Sequence, residues 1–171
     1  MEKMVRKAVL EDMDALHSLL LHVADCHSSK QSDLFCSGRG AYTRAELLRF
    51  METGDMQIFV STNEAGTVTG LIICRIKETT NHKVLRNARA LWVEDMSVAP
   101  SAQKEGYGKM LLDYAKEYGR EQGCVRLELN VWAFNENAHA FYLHEGMQEQ
   151  RHIMEFDLSG ASDKRQVNVY E

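Results

Sequence analysis

The order of segments in the second half of the chain constrains the fold more than any other feature of the sequence. Residues 90–98 form a mostly apolar run that ends before Pro100, the only proline in the chain. A turn containing glycines follows, and apolar residues then recur with helical spacing over residues 107–118, until Gly123. Residues 125–132 alternate apolar and polar side chains, which predicts a second strand. A strand, a helix and a strand in this order make a crossover between parallel strands, so the sequence predicts a mixed α/β domain.

Other parts of the chain predict further strands and helices around this unit. Thr43 and Glu46 have the spacing of a capping box, at the start of a helix that Gly54 ends. The segment 25–42 is polar and is expected to form a loop. The other predicted elements are a strand at 4–9, a helix carrying Leu16, Leu19, Leu20 and Val23, a hairpin of strands 57–60 and 67–77, a polar turn at 78–86, a helix from Asn135 to Gly146, and a last strand at 153–158.

Length and charge indicate one globular domain. The chain has 171 residues, of which 44% are hydrophobic and 26% charged, close to the average for globular proteins. We predict a single domain over residues 1–158, followed by a polar tail at 159–171. The net charge of -5 argues against general binding to nucleic acids or anionic membranes. No apolar run reaches the length of a membrane span.

The cysteines and histidines give no support to a disulfide framework or a metal site. Cys26, Cys36, Cys74 and Cys124 contain no CxxC pair, and the seven histidines lack the HxxxH and HxxEH spacings. The charged N-terminus is not followed by the apolar core of a signal peptide. The expectation is a cytoplasmic protein with reduced thiols and without a metal ion.

The turn before the central helix has the composition of an anion-binding loop. The first amides of a helix are unpaired and carry partial positive charge, and Gly106 and Gly108 allow an anion to approach the backbone closely. The P-loop motif is absent, and Leu111 stands where the dinucleotide fingerprint has its third glycine. The residues expected at a phosphate or pyrophosphate are Gln103, Lys104, Glu105, Gly106, Tyr107, Gly108 and Lys109, with the Glu105 side chain directed to solvent.

Two motifs together resemble those of the GNAT superfamily of N-acetyltransferases. The first is Gln-x-x-Gly-x-Gly, which begins at Gln103. The second occupies residues 135–147 and is similar to the family's Asn-x-x-Ala-x-x-x-Tyr-x-x-x-Gly-Phe signature, with Met147 in place of the final aromatic residue. The resemblance covers about residues 4–158. It implies a GNAT-like acyl-CoA N-acyltransferase fold, in which helices flank a central mixed β-sheet.

The resemblance also implies where a co-substrate binds. In the family the first motif cradles the pyrophosphate of acetyl-CoA, and the cofactor enters a gap where the fourth and fifth strands splay apart. The main chain of Met96, Ser97 and Val98 is then expected to pair with the pantetheine arm like an added strand. Asn130 is expected near the gap. Asn135 is expected both to cap its helix and to contact the cofactor.

The resemblance and the residue types indicate a catalytic acid and a catalytic base. Tyr142 falls at the family's tyrosine and is the candidate acid that protonates the departing CoA thiolate; without the motif it would be interpreted as a core aromatic. Glu94 and Asp95 are the candidate bases, and an ordinary surface or ion-paired carboxylate is the alternative for each. Strand alternation predicts Glu94 and Met96 on one face and Asp95 and Ser97 on the other, so only one carboxylate is expected to face the acceptor.

The predicted function is transfer of the acetyl group of acetyl-CoA to a primary amine, by direct attack in a ternary complex. The acceptor is expected to be a small molecule bound by the loops 25–42 and 78–86, and a homodimer is expected only by analogy. Two alternatives stay open: an acyl-CoA-binding regulatory module without turnover, and an acetyltransferase of protein N-termini or lysines. A nucleotide-binding fold of another kind would leave the segment 135–142 without a role.

Overall fold

The computed structural model describes residues 2–156 and residue 158, and it contains one five-stranded sheet. Its strands are β1 (Met4–Lys7), β2 (Gln57–Thr62), β3 (Val68–Thr79), β4 (Ala88–Val98) and β5 (Arg126–Leu129). They lie in the order β1-β2-β3-β4-β5, and the first three pairs are antiparallel. β4 and β5 are parallel, which confirms the crossover that the segment order predicts.

Helices cover both faces of the sheet. They are α1 (Met13–Lys30), α2 (Arg44–Thr53), α3 (Tyr107–Glu121) and α4 (Glu136–His144). On one face, α1 and α2 bury Leu16 and Leu47 against Ile73 of β3. On the other face, α3 buries Leu111 against Leu91 of β4. This mixed sheet between helical layers confirms the predicted α/β fold class.

The predicted helix caps form as the sequence indicates. The Thr43 hydroxyl accepts a hydrogen bond from the Glu46 amide at 3.2 Å, and the Glu46 carboxylate accepts one from the Thr43 amide at 2.8 Å. Gly54 ends α2 with a φ of 74°, in the left-handed region that favours glycine. The Asn135 side chain accepts a hydrogen bond from the Ala138 amide at 3.3 Å, so its capping role is confirmed.

Several predicted segments differ in the structure, and the strand predicted at 125–132 ends at Leu129. α1 continues to Lys30, into the segment 25–42 that was expected to be a loop, because polar residues do not end a helix that lacks a glycine or proline stop. The last strand predicted at 153–158 is wrong for residues 153–156 and 158, which form no ladder. Ile153, Met154, Phe156 and Leu158 are 82–90% exposed there. Alternation alone does not make a strand without a partner. The predicted tail at 159–171 lies outside the described residues.

A bulge in β4 changes which of its residues share a face. Ile73 pairs with Asp95, but the next residue of β3, Cys74, pairs with Val93, so Glu94 is an extra residue in β4. Val93 and Met96 consequently pack on the same side, against the core beneath α3. The simple alternation expected from the sequence is therefore wrong across Glu94.

Candidate active site

The edge of β4 that faces β5 becomes free halfway along the strand. The parallel register runs from Ala90 opposite Arg126 to Val93 opposite Leu129, where β5 ends. β4 continues to Val98 and keeps its pairing with β3 on the other edge. The main chain of Met96, Ser97 and Val98, expected from the sequence to bind pantetheine, therefore borders the gap. Asn130 is exposed directly after the end of β5.

Side chains on this part of β4 point in different directions. The buried Ser97 hydroxyl donates a hydrogen bond to the carbonyl of Leu19 in α1, at 3.4 Å. Met96 instead lies toward α3 and α4, where its sulfur accepts a hydrogen bond from the Tyr142 hydroxyl at 3.8 Å. Ser97 consequently offers its main chain, and not its hydroxyl, to a molecule in the gap.

The loop before α3 presents a series of unpaired amides. Lys104 and Gly106 have φ angles of 65° and 90°, and such left-handed residues within a turn produce a concave group of N–H donors. The first hydrogen bond of α3 runs from the Met110 amide to the Gly106 carbonyl at 3.1 Å. The amides of Tyr107, Gly108 and Lys109 precede that bond and are the free donors of a helix N-terminus. This arrangement is suited to binding a phosphate group.

The two glycines of this loop have different structural roles. A Cβ at Gly106 would meet no atom within 4 Å, so glycine is favoured here by its positive φ and not by a lack of space. A Cβ at Gly108 would lie 3.4 Å from the Phe141 ring and 3.6 Å from the Met96 methyl. Gly108 therefore also allows α4 to pack closely against α3.

Two of the three charged side chains of the loop pair with other residues. Glu105 is exposed and pairs with Lys3 at 3.3 Å, consistent with the expectation that it faces solvent. Lys109 pairs with Asp113 at 2.9 Å and with Glu145 at 3.0 Å. Lys104 is exposed. An anion at this loop would consequently be bound mainly by backbone amides.

The uncharged side chains of the loop are those of Gln103 and Tyr107. The exposed Gln103 side chain donates a weak hydrogen bond to the Val98 carbonyl at 3.5 Å. The Tyr107 ring is buried in the molecule, with the Lys3 ammonium 4.5 Å from its centroid. Tyr107 therefore contributes only its amide to the loop, while its ring anchors the start of α3.

Tyr142 projects from α4 toward β4. Burial, followed by the nearby Asp95 carboxylate, raises the pKa of Tyr142 to about 12. The phenol therefore keeps its proton at neutral pH and is able to donate it. Because its hydroxyl contacts the sulfur of Met96, the residue after Asp95, the candidate acid of α4 lies at the same stretch of β4 as the candidate bases.

The two candidate bases have different surroundings. Glu94 forms an ion pair with Arg75 of β3. Burial, followed by repulsion from Glu94, raises the pKa of Asp95 to about 6, although a hydrogen bond from Tyr42 opposes the change. A carboxylate with a pKa near neutrality is a better proton acceptor than an ordinary one. The surroundings favour Asp95 over Glu94 as the base.

Tyr42 is a residue of this site that the sequence did not indicate. Burial, followed by the Asp95 charge, raises the pKa of Tyr42, and the Tyr42 ring lies edge-on to Phe50 with 5.2 Å between centroids. The available signal was only that Tyr42 ends the segment 25–42, which was expected to contact the acceptor. No motif or spacing distinguishes it.

A second feature of the segment 25–42 was also missed. Phe35 contacts three rings, those of His27, Trp132 and Phe134, with centroids 5.0–5.9 Å apart. These contacts join the end of α1 to the connection between β5 and α4. The segment therefore reaches both sides of the gap, through Phe35 at one end and Tyr42 at the other.

Two other kinds of site are absent from residues 2–156 and residue 158. No group of three or more His, Cys, Asp and Glu side chains in that part is arranged to hold a metal ion. None of its helices combines the length and the apolar character needed to cross a membrane.

Comparison with known proteins identifies the family. The model of the acetyltransferase (GNAT) family matches residues 22–147, well over half of the chain. The chain therefore belongs to the GNAT family of acetyltransferases, as the two motifs indicated.

The chain is also 37% identical over 82 residues to an uncharacterized N-acetyltransferase encoded in the pepI 3' region of Lactobacillus delbrueckii subsp. lactis. That match covers 48% of this chain and spans less than half, 46%, of the relative.

Solved structures agree on the fold. The F44R mutant of the BH1408 protein from Bacillus halodurans superimposes with a TM-score of 0.86 at 21% identity, covering 91% of this chain and 99% of the other. AAC(6')-Iy, solved in complex with the bisubstrate analogue CoA-S-monomethyl-acetylneamine, superimposes with a TM-score of 0.70 at 13% identity, covering 92% and 98%. At these identities the likeness establishes the fold alone.

Proposed function

We propose that this protein transfers the acetyl group of acetyl-CoA to the primary amine of a small molecule. The observation that carries the proposal is that β4 continues to Val98 beyond the point where its pairing with β5 stops, and that the Tyr142 hydroxyl of α4 reaches this free stretch, 3.8 Å from the sulfur of Met96, the residue after Asp95. Membership of the GNAT family and the bisubstrate complex of AAC(6')-Iy support this chemistry.

Acetyl-CoA would bind along the free edge of β4 and at the start of α3. The pyrophosphate would accept hydrogen bonds from the amides around Gly106 and Gly108, and the pantetheine amides would pair with the main chain of Met96 and Val98. Asn130, directly after β5, and Asn135, the cap of α4, are proposed to contact the cofactor. Lys104, which is exposed, is the lysine of the loop proposed to reach a phosphate.

The acceptor amine must lose a proton before it can attack the thioester. A primary amine with a pKa near 10.4 is mostly protonated at pH 7, and deprotonating it costs about 4–5 kcal/mol. Asp95, directly or through a water molecule, takes the proton from the amine nitrogen. The nitrogen lone pair then attacks the thioester carbonyl carbon, and a C–N bond forms.

The reaction ends with a leaving group that needs a proton. The nitrogen of the tetrahedral intermediate loses its second proton to solvent, the CoA sulfur is expelled as the C–S bond breaks, and the Tyr142 hydroxyl donates its proton to the thiolate. Asp95 and Tyr142 then exchange protons with solvent to regenerate the starting state. A positioned acid or base of this kind contributes about 10²–10⁴-fold to the rate.

The surroundings of the site support a cationic acceptor. Glu94 and Asp95 both belong to this part of β4, and the chain carries a net charge of -5. The segment 25–42 borders the gap through Tyr42 and Phe35 and is proposed to bind the body of the acceptor. We further propose that residues 1–158 form one domain. Because all four cysteines are free thiols, we propose that the protein acts in the cytoplasm.

Release of the CoA thiol from acetyl-CoA, measured across a panel of amines, tests this function. The panel contains aminoglycosides, polyamines, amino acids and short peptides, with a blank that lacks acceptor. We expect release well above the blank with a small-molecule amine. Release with peptides alone would overturn the small-molecule assignment. Binding of acetyl-CoA, seen as a thermal shift, without release from any amine would favour the binding module.

A further inference from the structure

Ion pairs and hydrogen bonds join the start of α3 to the end of α4. The Lys109 ammonium donates a hydrogen bond to the Glu145 carboxylate at 3.0 Å and another to the Asp113 carboxylate at 2.9 Å. Lys116, two turns further along α3, donates to the Glu145 carbonyl and to the Asp113 carboxylate, both at 3.3 Å. Two lysines of α3 therefore hold the side chain and the main chain of Glu145, the residue that directly follows α4.

Glu145 differs from an ordinary surface carboxylate in its burial. Only 8% of its side chain is exposed, whereas 59% of the Lys109 side chain is exposed. A carboxylate that has lost most of its contact with water needs a cation or hydrogen bonds in compensation. Without the Lys109 ammonium, the Glu145 charge would be stabilised best by moving outward into water, and the end of α4 would move with it.

The end of α4 that Lys109 holds carries the candidate acid. Tyr142 lies three residues before Glu145, about one helical turn, and its hydroxyl reaches the sulfur of Met96 in β4 at 3.8 Å. Its neighbour Phe141 packs on the start of α3, where a Cβ at Gly108 would lie 3.4 Å from the ring. An outward movement of this end would therefore draw the Tyr142 hydroxyl away from β4.

Lys109 belongs to the glycine motif, and the sequence placed it among the residues expected at a phosphate. Its ammonium is instead engaged by two carboxylates, which neutralise the charge that would attract an anion. Its amide precedes the first hydrogen bond of α3 and is still a free donor. The main chain of Lys109 thus belongs to the anion-binding loop, whereas its side chain belongs to the contact between α3 and α4.

We propose that Lys109 and Glu145 are positioning residues, whose ion pair holds α4 so that the Tyr142 hydroxyl lies at the end of β4. This inference rests on the proposed function. It implies that loss of the Lys109 side chain slows protonation of the CoA thiolate and leaves the binding of acetyl-CoA intact.

The kinetic test uses Lys109→Met and Glu145→Gln, which remove the ion pair from either side and keep much of each side chain's size. We expect kcat to fall about ten-fold in each variant, because a displaced acid loses part of its contribution. The KM for acetyl-CoA should stay unchanged. A lysine that bound a phosphate would give the reverse pattern, a raised KM with an unchanged kcat, and that result would overturn the proposal.

Further variants separate positioning from a general loss of stability. Lys109→Arg keeps the cation and should restore most of kcat. Glu117→Gln removes an exposed ion pair with Arg120 from the same helix and should leave kcat unchanged. In a Tyr142→Phe background, where the acid is absent, Lys109→Met should cause no further loss of kcat. A further loss of full size there would show that Lys109 does not act through Tyr142.

Two measurements without turnover keep this inference distinct from the proposed function. Calorimetric titration with CoA should give equal affinities for the wild type and Lys109→Met, and weaker binding to the variant would overturn the assignment. The ring NMR signals of Tyr142, assigned by their loss in Tyr142→Phe, should shift in Lys109→Met and Glu145→Gln but not in Glu117→Gln.

The NMR result decides the positioning role whatever the acceptor is. Unchanged Tyr142 signals in both ion-pair variants would overturn the inference even if the enzyme acetylates amines. A wild type that binds CoA and acetylates no amine would overturn the proposed function, while shifted Tyr142 signals would still support the role of the ion pair in placing this side chain.

Discussion

Asp95 is a buried carboxylate, which makes it a better proton acceptor but lowers the stability of the folded protein. Its pKa is raised from 3.8 to about 6, so the folded state binds more protons than the unfolded state between these two values. The free energy of unfolding therefore falls as the pH rises through this window. Above pH 6 the carboxylate is ionised, and its destabilising effect on the folded state no longer changes with pH.

Replacing this carboxylate should stabilise the protein. For Asp95→Asn we expect a free energy of unfolding about 1–3 kcal/mol higher at pH 7, because the neutral amide keeps the shape, costs less to bury than a carboxylate and is not repelled by Glu94. Thermal melting at pH 4 and pH 7 measures this, and the gain should be largest at pH 7. As a control, Asp113→Asn should give no gain, because Lys109 lowers the pKa of Asp113. A lower melting temperature for Asp95→Asn at pH 7 would contradict the raised pKa.

The sequence indicated Tyr142, Glu94 and Asp95 but could not rank the two carboxylates. Ranking them requires the Glu94–Arg75 ion pair and the bulge, which depend on the register between β3 and β4. A bulge leaves no periodicity that can be recognised in a single strand. Tyr42 was missed for a related reason, since the Asp95 charge that raises its pKa comes from a residue far away in the chain.

At the scale of elements, the backbone conformation of the loop between β4 and α3 directs several amides toward one anion-binding position. Lys104 and Gly106 adopt positive φ angles, and α3 begins immediately afterwards, so several amides face the same space. Gly106 accepts its φ of 90° without strain. This loop could be predicted from the sequence because glycine spacing and helical periodicity are local signals.

Alanine at Gly106 should weaken cofactor binding. The positive φ would cost an alanine about 1–2 kcal/mol, and relaxation of the loop would turn its amides away from the pyrophosphate. We expect the KM for acetyl-CoA to rise several-fold, with a smaller effect on kcat. Gly54→Ala introduces a similar strain at the end of α2, where φ is 74°, and should leave this KM unchanged. An unchanged KM in Gly106→Ala would argue against this loop as the cofactor site.

At the scale of the whole molecule, the crossover from β4 through α3 to β5 creates the site. It makes β5 parallel to β4, and the shorter β5 leaves the end of β4 without a neighbour on that edge. α4 then places Tyr142 against that end, and the connection between α1 and α2 places Tyr42 there. The order of elements could be predicted from periodicity, whereas the length of β5 could not.

The chain beyond α4 shows the limit of local patterns most clearly. Residues 153–158 alternate like a strand, and Met154 and Phe156 are nevertheless more than 80% exposed. Strand formation depends on a partner at the correct register, and nothing in the segment itself encodes that partner. Helices α2 and α3 were predictable because their hydrogen bonds are internal.

The central claim is that Asp95 and Tyr142 act as base and acid at the end of β4. The most direct measurement is kcat of Asp95→Asn and Tyr142→Phe, at saturating acetyl-CoA and acceptor amine, in protein shown to bind acetyl-CoA as tightly as the wild type. We predict a loss of about 10²–10⁴-fold for Asp95→Asn and of ten-fold or more for Tyr142→Phe. A wild-type kcat in Asp95→Asn would contradict the account and place the base elsewhere.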